Sequence, residues 1–96
     1  MYIVNERSGT IINSNFVTKF FLLDTSDCTL FSVLLHGEEK PSTLERYRKH
    51  DEAMDALYKL FQALESDWIT FRMPESLYYF EEYTKRDART KRRGGS

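Results

Sequence analysis

Two histidines and their acidic neighbours are the first residues with the means to do chemistry. His36 precedes "GEE" and His50 opens "HDEAMD", so imidazole and carboxylate ligands for a divalent metal are present. Neither histidine lies in a recognised ligand spacing such as a helical HExxH, which places two histidines on one helix face. We therefore expect His36 to end a strand, His50 to begin a helix, and neither to bind metal.

A single thiol, Cys28 in "DTSDCTLF", is the next candidate, with His36 as the base that would activate it. A nucleophilic thiol needs a cation or a helix N-terminus to lower its pKa, whereas Cys28 opens an apolar stretch. Unpaired cysteines are among the most buried residues, so we expect a small buried side chain here. One cysteine also excludes an intramolecular disulfide, which fits a reducing compartment.

Paired carboxylates and phosphate-binding loops give no better case for catalysis. Glu81 and Glu82 are adjacent, and neighbouring residues on a helix point about 100 degrees apart, so they cannot share one reacting atom. No glycine-rich loop exists, because the glycines are isolated or terminal: Gly9, Gly37, Gly94 and Gly95. The sequence predicts a protein without enzymatic activity and without a cofactor.

The C-terminal "LYYFEEYTKRDARTKRRGGS" is the strongest functional candidate. Arg86, Arg89 and Arg93 recur at i, i+3 and i+7, so a helix through them would present one basic stripe. Tyrosines upstream of arginine forks are typical of single-stranded nucleic acid binders, and arginine also holds carboxylates on protein partners. The candidate binding residues are Tyr78, Tyr79, Tyr83, Lys85, Arg86, Arg89, Lys91, Arg92 and Arg93. Nucleic acid or nucleoprotein contact, a protein partner, and no specific role remain open.

Charge divides the chain into an acidic body and a basic end. Residues 84–96 carry six basic residues and one acidic residue, a net charge of +5, which leaves −6 on the rest. This block pattern indicates either an interaction tail or a tail that folds back on its own body. At 96 residues with 41% hydrophobic and 15% aromatic residues, the chain should fold as one domain. We find no signal peptide or membrane span and expect the protein in the cytoplasm.

Short apolar runs predict a β-rich first half. "MYIVN" and "TIIN" read as two strands joined by the "ERSG" turn, and "FVTKFFLL" as a central strand. "CTLFSVLLH" is apolar on both faces, so something should cover both sides of the sheet there. "TLERY" follows Pro41 and reads as an edge strand, and "SDWITFRMP" as a strand that Pro74 ends.

Helical spacing begins at His50. An apolar stripe falls at i, i+3, i+6, i+7 and i+10: Met54, Leu57, Leu60, Phe61 and Leu64. This predicts a helix over about 50–65, and a second helix should begin near Pro74. The predicted fold is an α+β domain over residues 1–76, an antiparallel sheet of five or six short strands packed on one amphipathic helix. A C-terminal extension over 77–96, aromatic then basic, continues as a helix with a frayed end.

The order of these segments resembles a family. "IINSNFVTKFFL", "GEE", "LERYRKHDEAMDALYKLFQAL" and "ITFRMPES" are similar to the strand, helix and closing "MPE" of small bacteriophage and integrative-element proteins of Gram-positive bacteria. The resemblance covers about residues 1–76 and implies a mobile-element origin, but no activity. The extension after Ser76 departs from that pattern.

Together these observations favour a small non-enzymatic binding protein that occupies the surface of a host protein or nucleoprotein. One form is an inhibitor of a host defence nuclease such as a CRISPR effector, because an acidic body can imitate DNA phosphates in a basic channel. The alternative is a nucleic-acid-binding accessory protein that uses the basic tail. The aromatic segment Leu77 to Tyr83 should cover the second face of the sheet, within one chain or exchanged in a homodimer.

Overall fold

The computed structural model describes residues 1–78, which form six strands and one α-helix. In chain order they are β1 Tyr2–Asn5, β2 Thr10–Asn13, β3 Val17–Asp24, β4 Thr29–Leu35, β5 Ser42–Tyr47, α1 His50–Glu65 and β6 Thr70–Arg72. A short 3-10 turn, Ser14–Phe16, separates β2 from β3. The α+β class and the bounds of the helix are therefore as the sequence predicts.

The strands form two three-stranded sheets, and the prediction of a single sheet is wrong. The first sheet has the order β2-β1-β6; β2 runs antiparallel to β1, and β6 runs parallel to it. The second sheet has the order β3-β4-β5 and is antiparallel throughout. The prediction of an antiparallel sheet thus holds for the second sheet and for half of the first.

The 3-10 turn is the physical reason why β2 and β3 belong to different sheets. Neighbouring strands in sequence usually pair, which requires a hairpin between them. Here the side chain of Asn13 accepts a hydrogen bond from the amide of Asn15 at 3.0 Å, and the chain turns away before Val17. The first sheet is instead completed by β6, with Ile3 opposite Phe71. A parallel pair needs a crossover, and the whole second sheet and α1 lie within it.

In the second sheet β4 is the central strand and β3 is an edge strand, so the prediction that "FVTKFFLL" is central is wrong. Its aromatic and β-branched composition is that of a half-buried strand, and composition does not say whether one or two neighbours pair with it. β5 is the other edge, as Pro41 predicts.

One core joins both sheets to α1. Phe31 and Val33 of β4 are buried beneath the helix, and Ile3 and Phe71 bring the first sheet into the same cluster. The ring of Phe20 meets that of Phe31 edge to face, with 6.5 Å between centroids. The buried members are Ile3, Phe31, Val33, Leu44, Tyr47, Ala53, Ala56, Leu60, Ala63 and Phe71.

After β6 the chain runs back along β5. Met73 donates its amide to the carbonyl of Val4 at 2.8 Å, and the carbonyl of Pro74 accepts from the hydroxyl of Tyr47 at 2.9 Å. The hydroxyl of Ser76 donates to the carbonyl of Arg46. The second helix is predicted to begin near Pro74, but residues 73–76 are not helical and Leu77 and Tyr78 are. The rest of the predicted C-terminal helix lies beyond Tyr78, outside the described residues. In residues 1–78 no helix has the length and apolar character that a membrane crossing needs.

Candidate binding surface

One flank of α1, beside the face that packs on the core, is strongly apolar and exposed. Met54 is 46% exposed, Tyr58 60%, Phe61 55% and Leu64 38%. Leu57 is half-buried beside them and touches the core. We call these five residues the outer face of α1. Four of the five belong to the stripe that the sequence predicts, and Leu60 is the stripe member that is fully buried.

Alanines explain why these large side chains lie outside. Ala53, Ala56 and Ala63 are at most 1% exposed and, with Leu60, form the face that packs on the second sheet. Small side chains let a helix approach a sheet closely, and the volume between the two layers is then filled by the β4 residues. The larger apolar residues of α1 have no place between the layers and turn toward solvent on the flank of β3.

A groove of about 360 Å³ runs between the outer face of α1 and strand β3 of the second sheet. Phe20 of β3 forms one wall, and residues of α1 form the rest: Met54, Leu57, Tyr58, Leu60, Phe61 and Leu64. Every lining residue is apolar or aromatic, so the groove offers shape and apolar area rather than hydrogen bonds. This chemistry suits a protein side chain or helix and not a polar small molecule.

Acidic side chains border the beginning of α1. Asp51 and Glu52 lie in its first turn, where the positive end of the helix dipole favours them. Asp55 forms an exposed ion pair with Lys59 at 2.9 Å. The outer face therefore has an acidic border at its N-terminal end, which would favour a partner with basic residues at the corresponding place.

A second cleft, of about 380 Å³, lies where the two sheets meet, and a buried carboxylate forms its floor. Glu45 is 2% exposed and accepts hydrogen bonds from Asn5 Nδ2 at 3.0 Å and from the amide of Arg46 at 3.0 Å. Arg7 reaches it with Nη2 at 3.1 Å. Asn5 also donates to the carbonyl of Leu44 at 2.6 Å. These contacts join β1 to β5, and we read this cluster as structural.

Tyr47 holds the segment after β6 against the core. Burial raises the pKa of Tyr47, and the negative charges of Glu45, Glu52 and Asp55 raise it further. The hydroxyl therefore keeps its proton across the physiological range and donates it to the Pro74 carbonyl. Residues up to Pro74 are thus fixed to the domain.

The two histidines take the structural positions that the sequence predicts. His36 directly follows β4 and donates its amide to the carbonyl of Phe16 at 2.7 Å. His50 is the first residue of α1, and its Nδ1 lies 2.9 Å from Asp24 Oδ1. A hydrogen bond from Thr29, at 2.7 Å, and the contact with His50 lower the pKa of Asp24. Within residues 1–78 no group of His, Cys, Asp and Glu side chains is arranged to hold a metal ion.

Cys28 is buried, as predicted, in the turn between β3 and β4. Its amide donates to Thr25 Oγ1 at 3.1 Å, and its carbonyl accepts from the Thr25 amide at 2.8 Å. The Thr25 hydroxyl lies 3.5 Å from the sulfur. These contacts close the turn, which is a structural role.

Of the binding residues that the sequence predicts, the structure describes Tyr78 alone. Its amide donates to the hydroxyl of Ser76 at 3.2 Å, and its side chain is half-buried. The other eight lie outside the described residues, as do Glu81 and Glu82. The basic stripe, and the covering of the second sheet by the aromatic segment, therefore stay predictions.

Comparison of the chain with protein-family models, with curated proteins and with solved structures finds no match. The resemblance to phage and integrative-element proteins stays a prediction.

Proposed function

We propose that this chain is a small non-enzymatic binding protein that acts by occupying the surface of another protein, with the outer face of α1 as the contact. The observation that carries the proposal is the exposure of four large apolar side chains on one helix face, side by side. The largest apolar patch on the surface of a small protein is often a functional site, because exposing apolar area to water is unfavourable.

The composition of the outer face supports a protein partner. Tyrosine, phenylalanine and methionine are enriched at the centres of protein interfaces, where they bury much area for few rotatable bonds. Tyr58 and Phe61 lie one helical turn apart, so a partner would meet both rings at once. Neither ring contributes to the buried core, so recognition can use both without cost to folding.

If the partner is a host protein, the charge of the domain favours a basic one. Residues 1–83 carry a net charge of −6, and acidic residues begin α1. A mobile-element origin, which the sequence resemblance implies, would make the partner a host macromolecule, and a defence nuclease with a basic nucleic-acid channel has the complementary charge.

The test compares two neighbouring substitutions on α1. Phe61→Glu places a charge in the centre of the outer face, whereas Gln62→Glu places the same charge on an exposed position beside it. Tagged wild-type chain and both variants would be incubated with lysates of Gram-positive bacteria, and retained proteins quantified by mass spectrometry. We expect the wild type and Gln62→Glu to retain at least one protein that Phe61→Glu does not retain. Untagged copies of this chain, added to the lysate, count among the proteins that can be retained. Equal retention by all three would contradict the proposal.

The basic tail supplies the alternative function, a nucleic-acid-binding accessory protein. Its mark would be binding to a single-stranded oligonucleotide that weakens steeply with salt. The alanine variant of Arg89, Lys91, Arg92 and Arg93 would abolish that binding, and Phe61→Glu would leave it unchanged. This outcome, together with no retained protein, would favour the tail over the outer face of α1.

A further inference from the structure

Within residues 1–78, one edge strand of the second sheet is contacted by residues outside the sheet and the other is open. Along β5, the side chain of Asn5 donates to the carbonyl of Leu44 and the hydroxyl of Ser76 donates to the carbonyl of Arg46. Two main-chain carbonyls of this edge thus have partners from outside the sheet. Within residues 1–78, β3 pairs with β4 alone, and its outer edge receives no strand.

A long open edge of this kind is unusual in a monomeric protein. Proteins protect edge strands by making them short, by placing proline, charges or β-bulges in them, or by covering them. The irregularity of β3 lies between Val17 and Lys19, so it affects only the beginning of the strand. β3 is eight residues long, contains no proline, and includes the apolar run Phe20 to Leu23. Lys19 is the single basic residue within the strand, and its ammonium group lies over the ring of Phe21.

The open edge of β3 and the outer face of α1 form one continuous surface. Phe20 and Leu22 are half-buried residues on the side of β3 that packs against the core. Phe20 also lines the apolar groove together with the outer face of α1. A partner that extends the sheet at β3 would therefore meet the outer face at the same time.

We propose that the occupant of this surface is a second copy of the same chain. Its β3 would pair antiparallel with β3 of the first copy, about a two-fold axis perpendicular to the sheet. The result is a six-stranded antiparallel sheet with both helices on one side. The inference rests on the proposed function, since it names the partner of the same outer face of α1.

The outer face complements itself under this symmetry. A two-fold axis perpendicular to the sheet makes the two helices antiparallel. The N-terminal part of one outer face, with Met54, then lies beside the C-terminal part of the other, with Leu64. The acidic first turn of each helix points away from that of the other copy and toward its C-terminal end, where Glu65 is the last residue and no basic side chain lies in the last turn. The opposed helix dipoles favour this antiparallel arrangement.

Two requirements restrict the register of the β3–β3 pair. Residues opposite each other in an antiparallel pair point to the same face of the sheet, so the two-fold axis must lie midway between the two copies of one residue of β3. The pairing of β3 with β4 is irregular between Val17 and Lys19, so the regular part of the strand begins at Lys19. The regular part ends at Asp24, so axes at Phe21 and at Leu22 both fit it. We choose Phe21, with Lys19 of one copy opposite Leu23 of the other. An axis at Leu22 would instead place the carboxylate of Asp24 opposite the apolar Phe20.

The area of the combined surface approaches that of a stable dimer. The exposed parts of the outer face amount to roughly 400 Å² per copy, taking about 200 Å² for a large side chain. Pairing of the β3 edges adds main-chain and side-chain area along the regular part of the strand. A typical stable interface buries about 800 Å² per partner, and the helix and strand together approach that value.

Cysteine cross-linking tests both the partner and the register. In a Cys28→Ala background, Phe21→Cys places the two thiols beside each other on the axis, whereas Leu23→Cys places them roughly 13 Å apart along the strands. A disulfide needs Cα atoms within about 7 Å. Under mild oxidation we expect most of the Phe21→Cys protein to form a covalent dimer. The Leu23→Cys protein should form at least tenfold less. Thermal melts of the reduced variants would confirm that both fold.

Light scattering coupled to size exclusion gives the second measurement, on the full chain without cysteine substitutions. We expect twice the 11.4 kDa chain mass at tens of micromolar, and the mass of one chain for Phe61→Glu. Equal cross-linking at both cysteine positions, or a wild type of single-chain mass, would overturn the inference. A single-chain wild type that still retains a lysate protein through Phe61 would overturn the second copy as partner and leave the proposed function standing. Loss of both readouts would overturn both.

Discussion

The inner and outer faces of α1 use different kinds of apolar residue. The inner face is mainly alanine, with Leu60 as its one large side chain, and it is closed to water. The outer face carries methionine, tyrosine, phenylalanine and leucine, about half exposed. Apolar content alone would have assigned the larger residues to the core. The comparison shows that the face with small side chains, which lets the helix approach the sheet, becomes the inner one, and that the large residues beside it stay exposed.

The edges of the second sheet show the same contrast. β5 is tied to the first sheet by Asn5 and to the returning chain by Ser76, whereas β3 has no such contact among residues 1–78. The open edge and the outer face lie on the same flank of the domain. Under the proposed function, this flank is left for binding, and the predictions below are designed to break or sharpen that division.

Truncation on the two faces of α1 should give the largest difference. Leu60→Ala removes a side chain that is 1% exposed, and we expect it to lower the free energy of unfolding by about 2–5 kcal/mol. Phe61→Ala removes a larger side chain that is half exposed, and we expect a change within about 0.5 kcal/mol. Urea unfolding followed by circular dichroism, at chain concentrations low enough to keep copies apart, measures both. Similar losses from the two variants would contradict the assignment of the faces.

The buried carboxylate that joins the sheets should give the next largest effect. Glu45→Ala leaves the side-chain amide of Asn5 without one acceptor, and we expect a loss of about 2 kcal/mol. Arg7 is partly exposed, so water can replace Glu45 as its partner. The lost ion pair therefore adds little to the decrease in stability. Glu39→Ala, at an exposed glutamate, serves as the control and should leave the unfolding free energy unchanged. A neutral Glu45→Ala would show that the joint between the sheets does not depend on this carboxylate.

Local periodicity predicts part of this fold well. The helix bounds, the hairpin of β1 and β2, and the edge position of β5 after Pro41 all follow from signals within a few residues. The parallel pairing of β1 with β6 does not, because it depends on how an intervening helix and a whole sheet pack. The division into two sheets depends on the Asn13 contact with the Asn15 amide, and "SN" indicates a break there but not its direction.

The candidate surface was only half predictable for a related reason. The apolar stripe on α1 is visible in the sequence, but its exposure depends on which face of the helix packs against the second sheet. The spacing of Ala53, Ala56 and Ala63 at i, i+3 and i+10 is the signal that would have identified the inner face. The sequence instead points to the basic tail, whose residues after Tyr78 lie outside the described part of the chain.

The smallest effect concerns Asp24, at the join of β3 and α1. Thr29→Val removes the largest cause of its lowered pKa, and His50→Gln removes a smaller one, so the pKa should rise more in the first variant. A carboxyl group whose pKa is lowered on folding stabilises the protein above its unfolded pKa, and this contribution disappears as pH falls through the folded pKa. The stability difference between wild type and Thr29→Val should therefore shrink below about pH 4. Carboxyl chemical shifts followed by NMR titration measure the pKa values, and an unchanged Asp24 in Thr29→Val would contradict this explanation.

The central claim is that the outer face of α1 and the edge of β3 bind a second copy of the chain rather than serve folding. The dependence of the melting temperature on chain concentration tests it most directly, because association of folded chains stabilises them by mass action. Over a hundredfold range of concentration we expect the midpoint of the wild type and of Gln62→Glu to rise by several degrees, and that of Phe61→Glu to stay constant. A wild-type midpoint that does not change with concentration, or one that rises equally in Phe61→Glu, would contradict the account.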